Sequence, residues 1–222
     1  MRDTLTILDT QSVAGPAGLV GRMARFTDGP EHARRRAKVV AALPAVDGLR
    51  AAAAERAASM IGGATFDVMP IATTVPVAVL ASAMGVADVD SAVRVTNELC
   101  ATRADEPARA LIALTGGLSA VSVLFQARDA TAALIAASIV VGDIDEGVRE
   151  LPVHSTQRNG EWVSLAPVGT FGAGRHVCPG AELAMALAIG VLDALTGARL
   201  MGPVHYESRP NLRLPIRLMV TR

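Results

Sequence analysis

From Phe171 to Ala184 the chain reads Phe-Gly-Ala-Gly-Arg-His-Val-Cys-Pro-Gly-Ala-Glu-Leu-Ala, and no other stretch limits the fold so narrowly. Gly172, Gly174 and Gly180 permit positive φ or the close approach of a bulky planar group. Pro179 suits the first turn of a helix, where its missing N–H has no partner to lose. The loop therefore delivers Cys178 to a helix N-terminus. Free N–H groups and the positive end of the helix dipole favour a negative sulfur there, and Arg175 and His176 add positive potential. On residues alone this is a reactive or metal-ligating cysteine. A buried structural cysteine is the common alternative, but it leaves the rest of the string unexplained. A dinucleotide-phosphate loop fails on spacing, because Val177 stands where Gly172-x-Gly174 requires the third glycine.

The remainder of the chain sets the frame for that loop. At 222 residues, 51% hydrophobic and 19% charged, it can bury a sizeable core as one domain spanning 1–222, and it is neither disordered nor a disulfide scaffold. Its 21 basic and 21 acidic groups cancel, which removes a bulk electrostatic argument for nucleic acid or an anionic membrane. Twenty of the basic residues are arginine and can serve local anions. Cys100 and Cys178 form no CxxC or Cys/His zinc spacing, so a reducing compartment is the simplest setting. The opening MRDTLTILDT lacks the order of a signal peptide, and the apolar stretches 130–142 and 183–192 fall short of about 18 residues. The expectation is a cytoplasmic protein with no membrane and no nucleic-acid partner.

Alanine is abundant and β-branched alternation scarce before residue 150, so the first two thirds are predicted to be helical. Helices are expected from Pro30 to about Leu43, Val46 to Met60, Asp67 to Met84 and Asp88 to Cys100, then as one long helix from Glu106 to about Val141 with Gly116-Gly117 near its middle. A short helix follows in Asp145–Leu151, an extended segment at 162–168, a strong helix from about Pro179 to Leu195, and a terminal strand from Asn211 to Thr221. The fold class is mainly α with minor β.

The string FGAGRHVCPGAELA resembles the haem-binding signature of the cytochromes P450 at every defining position, from Phe171 through Cys178 and Gly180 to Leu183 and Ala184. The resemblance implies a P450-like fold with haem b between a long distal helix and the cysteine loop. It implies Cys178 as the thiolate ligand of the iron, Phe171 covering the sulfur, and Gly172, Gly180 and Ala184 beside the macrocycle. His176 would reach a propionate. Other landmarks follow in the family's order. Pro30-Glu-His-Ala-Arg-Arg-Arg36 resembles the entry to a helix where His32 and Arg36, four apart, clamp propionates; Glu146-Gly-Val-Arg149 resembles the family's ExxR pair; and Arg158 lies where a further propionate-binding arginine is found. Phe125 to Ile135 resembles the distal helix that crosses the oxygen site.

The resemblance covers about 28–195 in a chain far shorter than a complete family member. Only twelve residues separate Arg158 from Phe171, so the meander arginine that completes the ExxR network has no counterpart, and Glu146 and Arg149 need another partner. Aligning Asp129 with the family's acidic residue places Ala130 at the position of the oxygen-activating threonine, with Thr131 one later. A hydroxyl there assists proton delivery during oxygen activation and a methyl cannot. Asp129 and Arg128 are then expected to supply proton chemistry or orient a substrate. The implied activity is a haem-thiolate oxidoreductase that oxidises or rearranges a small organic substrate, in a biosynthetic pathway, by monooxygenase, peroxide-dependent or non-oxygenative chemistry. A monooxygenase would need an external electron donor, since no flavin or iron–sulfur signature is visible. The other readings are a non-catalytic haem protein, a partner subunit that pairs through uncovered apolar surface, as in a homodimer, and a truncated remnant.

Overall fold

The computed structural model describes Ile7, Leu8, Ser12, Val13 and residues 15–222. Beyond single helical turns at Gly18–Gly21 and Ala24–Phe26, its longer helices are α1 (Gly29–Ala42), α2 (Leu49–Met60), α3 (Met69–Ala83), α4 (Val89–Thr102), α5 (Asp105–Thr115), α6 (Leu118–Val141), α7 (Ile144–Arg149) and α8 (Ala181–Ala194). The long helix expected from Glu106 to Val141 is two helices. Gly116 takes φ +82°, its N–H closes on Ile112, and Gly117 restarts the chain in extended geometry, so the glycine pair ends one helix before the next begins.

Helix α6 runs through the core and packs against α1, α3, α4, α5, α7 and α8. It is long and apolar enough by composition to cross a membrane, which the shorter 130–142 stretch did not suggest, but half of its most apolar window is buried inside this fold. Helices α2 and α8 lie side by side, and Gly190 sets their spacing. A Cβ at Gly190 would run into the Arg50 carbonyl and sit 2.8 Å from Ala53 Cβ. Only glycine permits that approach. Arg50 and Asp193 tie the same two helices at 2.6 Å on the surface.

The strands are short. β1 (Thr65–Asp67), β7 (Met219–Thr221) and β4 (Arg199–Leu200) form an antiparallel sheet in the order β1-β7-β4, with Phe66 opposite Val220. β2 (Ser155–Arg158) and β3 (Glu161–Ser164) form a hairpin turned by Asn159 and Gly160, both at positive φ, so the extended segment expected at 162–168 is a strand to Ser164 and turns thereafter. The terminal strand expected over 211–221 is two pieces in different sheets: β6 (Pro215–Arg217) pairs with β5 (His205–Tyr206). Leu218 makes the break. Its N–H donates to Asp67 Oδ1 and its carbonyl accepts from the Val68 N–H, which takes it out of either ladder.

Candidate functional site

Where the N-terminal end of α8 faces α1 and the middle of α6, the fold encloses a cavity of about 240 Å³. The glycine loop forms one wall. Gly172 and Gly174 take φ +69° and +67°, and the Cys178 N–H donates to the Phe171 carbonyl at 2.9 Å, closing the loop on itself just before the helix starts. The Gly180 N–H points at the Cys178 sulfur, as a helix N-terminus should. Phe171, Gly172, His176, Cys178, Gly180 and Ala184 all line the cavity.

Three further cofactor candidates reach the same space from other elements. His32 and Arg36 project from successive turns of α1, and Arg158 projects from the end of β2. The structure thus brings together every residue that the sequence assigned to cofactor or metal. Arg158 is 3% exposed, its Nη1 donates to the Gln157 carbonyl at 2.8 Å and to Thr156 Oγ1 at 3.1 Å, and its Nε has no partner. An anion in the cavity would satisfy that buried donor.

Asp28 organises the loop's two basic residues. It stands at the cap position of α1 but caps nothing; its carboxylate accepts from the Val13 N–H and lies 3.2 Å from both Arg175 Nη2 and His176 Nε2. Burial works to raise this carboxyl, but the Val13 N–H, His176 and Arg175 outweigh it and hold it below its ordinary value. Because a carboxylate only accepts, the His176 proton sits on Nε2. The His176 ring packs on His32 with centroids 3.9 Å apart. Burial, reinforced by His32 and Arg158, pushes His176 down to about 4, and burial with Arg36 lowers His32, so both rings are neutral at pH 7.

The sulfur departs from the sequence expectation. Neighbouring atoms desolvate Cys178 and raise its thiol above the ordinary value, against the Gly180 N–H and the charges of Arg36 and Arg25. The side chain lines the cavity and remains exposed. Arg175 is turned to Asp28 and His176 is neutral, so neither supplies the positive potential read from the sequence. The loop alone does not make a thiolate; binding a metal would displace the proton. Arg25, on the turn before α1, also lines the cavity, and no sequence pattern marked it.

The opposite wall is α6. Val123, Ala127, Ala130, Thr131 and Leu134 face the cavity at helical spacing. Asp129 and Arg128 do not. They pair with each other on another side of the helix, where Arg209 Nη1 reaches Asp129 at 2.5 Å and Arg128 Nε reaches Asn97 at 2.7 Å. The sequence expects Asp129 and Arg128 to serve the reacting centre; the structure places them off the cavity wall, joining α6 to α4 and to the chain between β5 and β6. Glu146 and Arg149, the ExxR pair, bond to each other on the surface of α7, both mostly exposed.

No protein-family model and no curated protein matches this sequence. Solved structures do. P450BioI in complex with an acyl carrier protein carrying hexadec-9Z-enoic acid matches with a TM-score of 0.74 at 16% identity, over 98% of this chain and 90% of that one. The himastatin post-tailoring hydroxylase HmtN matches at 0.70 and 16% identity, over 98% and 88%. CYP105N1 from Streptomyces coelicolor A3(2) matches at 0.68 and 20% identity, over 90% and 79%. The chain has the cytochrome P450 fold, mainly α with minor β.

Proposed function

We propose that this shortened P450-like chain is a single haem domain over 1–222, binding haem b in the cavity with Cys178 as the protein ligand to iron, and that it oxidises or rearranges a small organic molecule there. The observation that carries the reading is the convergence of Cys178 with His32, Arg36, Arg158, Phe171, Gly172, His176, Gly180 and Ala184 on one cavity. The donor set fits a metal that arrives already chelated. Among the described residues no group of three His, Cys, Asp or Glu could hold a bare ion, whereas one sulfur is what a macrocyclic iron requires from its protein. Arg158 and Arg36 would hold the two propionates, with neutral His32 as a hydrogen-bonding neighbour and the His176 proton committed to Asp28.

Bound haem would supply redox chemistry in the cavity, and Cys178 would hold its iron through the sulfur. The chain's own contributions are positional. Leu80 from α3 with Val123 and Leu134 from α6 offers an apolar surface for a substrate, and Thr131 offers the hydroxyl nearest to Ala130. With a methyl at Ala130, peroxide-dependent or non-oxygenative chemistry stands level with monooxygenation, which would also need an external electron donor. HmtN is a hydroxylase by name, which supports an oxidoreductase of small molecules.

The test is the optical spectrum of haem-loaded protein, reduced and exposed to carbon monoxide. A far-red-shifted Soret band is expected. Haem uptake without that band would exclude Cys178 thiolate ligation, and no uptake would exclude the haem reading.

A further inference from the structure

The cavity wall carries three guanidinium groups, from Arg25, Arg36 and Arg158, and among the described residues no Asp or Glu. The neighbouring carboxylate, Asp28, is engaged by Arg175, His176 and the Val13 N–H. Haem brings two propionates, which Arg36 and Arg158 would take. One positive charge is left over.

That charge is Arg25. It sits on the turn Ala24–Phe26, apart from the helix and strand that present the other two. Its guanidinium lies 5.0 Å from the centroid of the Phe26 ring, and among the described residues no carboxylate or carbonyl pairs with it. Besides Cys178, the charges that act on it are Arg103 and Arg158, both cations, and crowding by neighbouring atoms lowers its pKa further. Arginine stays protonated regardless, so the group is a cation on the cavity wall that also reaches solvent.

We propose that Arg25 anchors the carboxylate of a substrate whose apolar remainder lies along α3 and α6, against Leu80, Val123 and Leu134. The proposal rests on the haem reading, because propionates are what occupy Arg36 and Arg158. A bidentate guanidinium–carboxylate pair where the cavity meets solvent fixes one end of a molecule while its apolar remainder enters the cavity, and a cationic substrate would meet only repulsion.

Titration calorimetry with straight-chain carboxylates from hexanoate to dodecanoate, each against the alcohol of equal length, tests it on haem-loaded protein. The acid is expected to bind at least tenfold tighter than the alcohol. Arg25→Gln should bring the ratio close to one while haem retention and the carbon monoxide band stay unchanged, and Arg25→Lys should keep part of the preference. A ratio near one in the unaltered protein would overturn the proposal, as would a preference that persists in Arg25→Gln. So would haem loss in Arg25→Gln equal to that in Arg158→Gln, which would make Arg25 a propionate ligand. If the protein takes up no haem, a preference lost in Arg25→Gln but kept in Arg158→Gln would retain Arg25 as the anchor and discard the haem reading; the reverse would discard both.

Discussion

The loop from Phe171 to Gly180 and the middle of α6 face each other across the same cavity, yet they are held by different means. The loop is fixed from within, by two glycines at positive φ, the Cys178 N–H on the Phe171 carbonyl and the Gly180 N–H at the sulfur. The α6 wall has no such local lock, and its rotation is set by the helices around it and by the Asp129–Arg209 and Arg128–Asn97 contacts on its far side. A wall built from its own backbone can be recognised as a string of residues. A wall built from packing can be recognised only once its neighbours are in place.

Replacing the sulfur tests the loop wall most severely. Cys178→Ala should abolish the thiolate-type spectrum entirely while circular dichroism shows an intact fold; retention of the band would remove Cys178 as ligand. Arg158→Leu should weaken haem binding roughly tenfold to a hundredfold, as loss of a supporting hydrogen bond to a metal centre does. The same change should raise the melting temperature of the haem-free protein, since it removes the unpartnered Nε. A variant weaker in both respects would show that Arg158 is structural.

Asp129→Asn probes the far side of the other wall. It should cost about 2 kcal/mol in denaturant unfolding, because Arg128 and Arg209 lose a mostly buried carboxylate, yet leave the spectrum unchanged. A spectral change would mean that the α6 contacts reach the iron site.

Acidification separates the walls again. His176 titrates at about 4 in the fold against 6.5 in the unfolded chain, and His32 is shifted the same way. Between those pH values the unfolded chain binds more protons, so stability is full above about 6.5 and falls as pH drops toward 4. After solvent screening the loss is about 1–2 kcal/mol, seen as a falling melting temperature and flattened in His176→Gln. The carboxyl of Asp28 adds a further loss only at still lower pH. Ala130→Thr should have the smallest effect on stability, within about 0.5 kcal/mol. It should raise the fraction of consumed oxygen that appears as product if monooxygenation is the chemistry.

The contrast also explains what could be read in advance. The cysteine loop, the His32–Arg36 pair and Arg158 were legible because short-range spacing and order carry them, and the structure gathers them as expected. The place of Asp129 is not legible from its identity alone but from its rotation: Val123, Ala127, Ala130, Thr131 and Leu134 follow the helical period along the cavity, and Arg128 and Asp129 lie off that stripe. The break between α5 and α6 was marked by Gly116-Gly117, but the pattern on either side is helical, so only the positive φ at Gly116 decides it. Arg25 carries no local signal at all. Its place in the cavity depends on how the short turn Ala24–Phe26 packs against α1.

The contact at Gly190 gives the cysteine loop a fulcrum. Helix α8 is a rigid rod whose front end sets where the sulfur stands, and it rests on α2 near the rod's rear, at a point where not even one methyl group fits. At about 1.5 Å of rise per residue, the fulcrum lies roughly 15 Å behind the tip. A small tilt there sweeps the tip sideways, so the aim of Cys178 is calibrated by a residue that touches nothing in the cavity.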